Sequence, residues 1–165
     1  MNPIDKAIER MRYLEDRTGV AIKNDYQAEL WDGTPNIAAF FVLATLVNQA
    51  KYSIVEPRAQ RFAQNHPTIS TIRKLQDHIN SLSDAEIAKD VLDWGWKHYK
   101  SKNWRPQLLR GLVKAFLHYK QVECSDIDEQ TAMRHWARRT PDGKDNPFAQ
   151  VPHCGEKLVA WMKTF

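Results

Sequence analysis

With 165 residues, 42% apolar and 27% charged side chains, the chain has the length and composition of one ordinary soluble globular domain. Its two cysteines stand thirty residues apart with no CxxC and no histidine pair at ligand spacing, which argues against a zinc site, an iron-sulfur cluster or a disulfide framework. A net charge of +4 favours an anionic partner, and the excess is uneven: residues 1–94 carry 11 Lys/Arg against 13 Asp/Glu, whereas residues 95–165 carry 13 against 7.

Helical spacing of apolar residues dominates, and period-2 alternation never persists, so the pattern predicts an all-α helical bundle of about eight helices. The first amphipathic stripe, Ile4, Ala7, Ile8, Met11 and Leu14, predicts a helix over 4–17 in a segment with no apolar signal core. Residues 1–35, ending in a loop with Trp31, Gly33 and Pro35, are expected to pack on a core formed by 36–165, the whole making one compact domain. Segment 36–50 is apolar nearly all round and reads as a buried central helix. Its apolar run IAAFFVLATLV is too short to cross a bilayer, which needs about 20 residues. No membrane role is expected, and a cytoplasmic or nuclear location is.

Further helices are expected over 54–64, with Pro57 in the first turn, and over 69–80. Ser83 and Glu86 form a capping-box pattern that starts a helix over 84–93. The segment DWGWKHYKSKNWRP (93–106) is a basic aromatic loop in which Trp94, Trp96, Tyr99 and Trp104 alternate with Lys97, Lys100, Lys102 and Arg105. Aromatic and basic interleaving suits base stacking with phosphate contact, although at least two of these tryptophans are expected in the core. A leucine-rich helix follows over 106–120, and another over 126–139 behind Ser125 as N-cap, carrying Arg134, Arg138 and Arg139. After the turn-rich TPDGKDNP (140–147), Asn146, Pro147 and Phe148 start a short helix that Pro152 ends. Gly155 then supplies the backbone freedom for a tight reversal into the last helix, GEKLVAWMKTF. Free N–H groups and the positive dipole end at that helix start can hold a phosphate, with Lys157 and Lys163 adding charge.

Three stretches in order, FFVLATLVNQA (40–50), the run of short helices from Val55 to Lys114, and VPHCGEKLVAWM (151–162), resemble the helix-hairpin-helix DNA glycosylase superfamily and its endonuclease III branch. The resemblance covers roughly 36–165. It implies a partner in double-stranded DNA, damaged or abasic, and no cofactor. It also assigns Gln49 to the space left by a flipped base, Pro152, His153 and Gly155 to the phosphate-binding hairpin, and Lys157 to the Schiff-base amine. Departures accompany it: His153 replaces the first hairpin glycine, Leu158 replaces a threonine, and the iron-sulfur cysteines are missing. The family's catalytic aspartate lies some eighteen residues past the lysine, whereas eight residues follow Lys157 here. Asp142 and Asp145 are near enough in sequence to be considered as substitutes. An abasic-site lyase acting through Lys157, a non-catalytic DNA-binding half completed by a protein partner or second copy, and a helical interaction module therefore all stand as readings.

Overall fold

The computed structural model describes residues 29–30, 34–94, 104–140 and 146–163. The expected helix over 4–17 lies outside them, as do Trp96, Tyr99, Lys97, Lys100, Lys102, Asp142 and Asp145. The described residues form an all-α structure of seven helices and a 3-10 turn. A two-residue antiparallel pair, Glu29–Leu30 with Thr34–Pro35, precedes them.

Helix α1 (Ile37–Val47) is the centre. Asn36 caps it, its side-chain oxygen accepting the Ala39 N–H at 2.9 Å, and every residue from Ile37 to Leu46 is at most 5% exposed. Thr45, the one hydroxyl in this run, is buried without penalty because it donates to the Phe41 carbonyl at 2.9 Å. A helix with no polar face must be enclosed from all sides. Phe41 packs edge-on against Phe116 at 5.4 Å and Phe148 at 6.2 Å, and Phe40 stacks on Trp161 at 5.8 Å.

The enclosing elements follow in chain order. Helix α2 (Tyr52–Asn65) begins two residues before the sequence expectation, so Pro57 falls in its interior rather than its first turn. Pro57 and Ser53, whose carbonyl loses its intrahelical partner, are both exposed, where water can replace the missing N–H. Helix α3 (Ile72–Asn80) is capped by Thr71 and also by Glu129, whose carboxylate accepts the N–H groups of Ile72 and, at 3.0 Å, Arg73. The capping box of Ser83 and Glu86 starts α4 (Asp84–Glu86), which widens into a π-helical turn over Ile87–Val91. Periodicity predicts a regular helix to residue 93, yet the chain leaves it through Asp93 at φ 46°, with the Trp94 N–H bonded to the Ala88 carbonyl at 2.8 Å.

Helix α5 (Trp104–Glu123) carries Leu108, Leu109, Leu112, Val113, Phe116 and Leu117 into the core. From it Arg110 reaches the last carbonyls of α3 and its loop, donating to Ile79 at 2.8 Å and Leu82 at 2.6 Å while pairing with Asp84 at 3.2 Å. Helix α6 (Glu129–Arg139) starts three residues later than expected, because Asp128 rather than Ser125 is the N-cap. Asp128 accepts both the Thr131 N–H and its hydroxyl, and an anionic cap also suits the helix dipole. Ser125 instead donates to Asp126. The short helix expected after Asn146 is one 3-10 turn (Pro147–Gln150), anchored by Phe148 edge-on to Trp136 at 4.8 Å, and α7 (Glu156–Lys163) ends the described chain.

Gly111 has a steric reason. A Cβ there would lie 2.4 Å from the Cγ1 of Val151, the residue that leads into the Pro152 turn. Gly111→Ala should destabilise the fold by about 1–3 kcal/mol, overpacking outweighing the roughly 1 kcal/mol of added helix propensity. In chemical denaturation Gly111→Ala/Val151→Ala should recover part of that loss; additive losses would show that the Val151 contact is not the cause.

Candidate nucleic-acid interface

The exit from α1 and the Pro152 turn have the same backbone solution. Asn48 has φ −63° and ψ 110°, Gln49 has φ 65°, and the Ala50 N–H returns to the Val47 carbonyl at 3.2 Å. This is a type II β-turn with glutamine at the position that favours glycine. Over Val151–Cys154, Pro152 occupies the second position, His153 the third at φ 67°, and the Cys154 N–H bonds to the Val151 carbonyl at 3.0 Å. That is a second type II turn, with histidine in glycine's place. A left-handed conformation costs a residue with a side chain on the order of 1–2 kcal/mol, so each turn is held by its surroundings.

The two turns touch. Asn48 Nδ2 donates to the His153 carbonyl at 2.9 Å, a bond spanning 105 positions of sequence, and Arg105 donates to the Asn48 carbonyl at 3.2 Å. Trp104, one residue before Arg105, lies with its ring centroid 5.7 Å from that of His153. Gln49 and His153, both exposed, thus belong to one face.

Trp94 extends this face. The Arg105 guanidinium lies 3.9 Å from the centroid of Trp94 and 4.2 Å from that of Trp104, and Arg58 lies 4.9 Å from Trp94. Burial, and secondarily the neighbouring charge of Arg58, push the Arg105 pKa down to about 10, so it remains a cation at neutral pH. Arg58 also donates to the carbonyl of Asp93, the third non-glycine residue with positive φ, and Arg61 pairs with its carboxylate, Nε to Oδ2 at 2.9 Å. All three left-handed non-glycine residues among those described are therefore joined through one network of arginine, tryptophan and asparagine.

The sequence candidates separate on this geometry. Gln49, Pro152, His153, Gly155 and Lys157 are all exposed. The side chain of Lys157, in the first turn of α7, makes no hydrogen bond or ion pair with another described residue. Arg105 is half-buried and engaged with the Asn48 carbonyl and two indoles rather than standing free in solvent. Trp94 and Trp104, expected in part as core, are partly buried and pack against its edge. Lys163, expected to add charge near the hairpin, instead donates to the Thr140 carbonyl at 2.8 Å and faces the ring of Trp136. The tight reversal expected at Gly155 falls two residues earlier: His153 takes the left-handed conformation, Gly155 has a φ outside that region, and among the described residues beyond its chain neighbours an added Cβ at Gly155 would meet nothing within 4 Å. Pro152 explains the shift, because proline fixes the second position of a type II turn and leaves the next residue to take positive φ.

Sequence reasoning missed Asn48, Arg58, Arg61 and Asp93. The first had a local signal, since Asn-Gln following an apolar helix is a turn sequence. The others become legible only when α2 and the end of α4 are brought together. Cys154, in the hairpin itself, is buried, and burial pushes its thiol pKa up to about 11, which keeps it protonated and unreactive near neutral pH.

No protein-family model, curated protein or solved structure matches this chain.

If the Pro152 turn holds His153 in the left-handed region, His153→Gly should be neutral or stabilising by up to about 1 kcal/mol, whereas β-branched His153→Val should destabilise by about 1–2 kcal/mol. Thermal unfolding of the two variants gives the comparison. Equal melting temperatures would contradict the strain.

Proposed function

We propose that this is a DNA-binding helix-hairpin-helix protein, related in design to the base-excision glycosylases and abasic-site lyases whose sequence pattern it resembles. The observation that carries the reading is the hydrogen bond between Asn48 and the His153 carbonyl, because it unites the two segments on which a damage-recognition protein depends. One is the turn bearing Gln49, suited to entering a base stack. The other is the hairpin leading to the N-terminus of α7, suited to a backbone phosphate.

Gly155 supports the phosphate role. Neither a left-handed backbone nor close packing against the described residues requires a glycine there; glycine suits the N-cap of α7, and its bare backbone also leaves room for the close approach of an external group. The carbonyl of Gly155 accepts the N–H groups of Leu158 and Val159 and so caps α7, which leaves the first N–H groups of the helix directed outward. The positive dipole end and the exposed Lys157 then favour an anion. The surplus of lysine and arginine after residue 94 supplies long-range attraction to the polyanion.

Gln49, exposed and at the tip of its turn, would fill the vacancy when a damaged or abasic nucleotide leaves the stack. At an abasic site the neutral amine of Lys157 would attack the open-chain C1′ aldehyde, forming a C–N bond and releasing water to give a Schiff base. This step requires no carboxylate to expel a base. Lyase action at sites already abasic is therefore the excision chemistry best suited to these residues, with DNA binding as the underlying function.

Two outcomes are expected. Gly155→Ala should cost about 0.5–1 kcal/mol of stability through a weaker N-cap, and in the folded protein lower duplex affinity about tenfold as its Cβ obstructs an outside ligand; unchanged affinity, or a duplex affinity independent of salt, would count against phosphate binding. Borohydride reduction on a duplex with one abasic site should yield a covalent adduct with the native chain and none with Lys157→Ala. An adduct that persists in the variant would assign the chemistry to another amine.

A further inference from the structure

We propose that Asn48 is a positioning residue that makes the two type II turns a single unit, so that seating a phosphate at the hairpin fixes the pose of Gln49. The inference rests on the DNA-binding reading above and adds to it a coupling between the two turns. Asn48 is held at both ends. Its carbonyl, the central carbonyl of the first turn, accepts from Arg105 at 3.2 Å, and its carboxamide donates to the His153 carbonyl at 2.9 Å.

The peptide that joins Asn48 to Gln49 is the one that distinguishes turn types. Rotating it converts a type II turn into type I and takes Gln49 out of positive φ. Left alone, a glutamine would favour that rotation, because the left-handed conformation is strained. The Arg105 bond opposes it by holding the Asn48 carbonyl where a type II turn places it, and the stacking of Arg105 between Trp94 and Trp104 fixes the donor. On the other side, the Asn48 carboxamide holds the His153 carbonyl, which belongs to the peptide whose Cys154 N–H closes the second turn. Asn48 thus ties the central peptide of the first turn to the closing peptide of the second. A phosphate that stabilises the hairpin would strengthen the Asn48 bond and with it the outward presentation of Gln49, and by reciprocity Gln49 inserted in DNA would tighten the hairpin.

Asn48→Asp is the informative variant. It preserves shape but turns the donor into an acceptor opposed to the His153 carbonyl, while Asn48→Ala removes the group altogether. In the free protein, amide hydrogen exchange at Ala50 and Cys154, whose N–H groups close the two turns, should accelerate together in both variants, by roughly three- to tenfold, the worth of one hydrogen bond. A change confined to one turn would overturn the coupling whether or not the protein binds DNA. On DNA, the native preference for an abasic duplex over an intact one should fall by a similar factor in Asn48→Ala and in Gln49→Ala, with no further fall when the two are combined. The salt slope on intact duplex should stay unchanged. Additive losses, equal losses on both duplexes, or a native chain without preference would overturn the inference and leave DNA binding standing; no binding by the native chain would overturn both.

Discussion

A helix without a polar face organises this protein. From Ile37 to Leu46 nothing on α1 is exposed beyond a few per cent, so α2, α3, α5, the 3-10 turn and α7 close around it. The requirement is energetic before it is geometric, because each large aliphatic or aromatic side chain fully removed from water contributes on the order of 2 kcal/mol. The three phenylalanine rings in edge-on contact, Phe41 with Phe116 and Phe148, mark where α1 meets α5 and the segment before the hairpin.

That enclosure determines where the polar face can form. The chain must leave α1 at its C-terminal end, and the type II turn over Val47–Ala50 carries it out to solvent. The hairpin arrives at the same place for separate reasons: Phe148 is pinned between Phe41 and Trp136, and Gly111 lets Val151 come against α5. Two ends of the core packing thus emerge side by side, and Asn48 joins them.

The face is also where the backbone departs from its preferred conformations. Gln49, Asp93 and His153 each sit where glycine would be cheaper, each beside a hydrogen bond from an arginine or asparagine side chain to a carbonyl at or next to it. Such strain has no return in core packing, since all three residues are exposed. Around Trp94 two guanidinium groups crowd the same indole, and their donors go to backbone carbonyls rather than to a described carboxylate. Stacked guanidinium groups and strained backbone thus meet on one exposed face, and the proposed anionic ligand rests on that coincidence.

The sequence by itself determined the helical class, the buried central helix, the capping box at Ser83 and the approximate bounds of most helices, because these depend on local spacing and on side chains reaching neighbours three or four residues away. It also singled out the Pro152 hairpin, where turn residues interrupt apolar runs, while Gln49 entered through the resemblance to the glycosylases. Only the tertiary structure decided the rest. The N-cap at Asp128 over Ser125, and the left-handed residue at His153 rather than Gly155, showed only in the folded chain although their causes are local, the Thr131 bonds to Asp128 and the fixed φ of Pro152. The π-turn over Ile87–Val91 had no local signal. The bond from Asn48 to His153 and the convergence of Arg58 and Arg105 on Trp94 join residues tens of positions apart, and no periodicity encodes a contact that exists only once the helices have closed around α1.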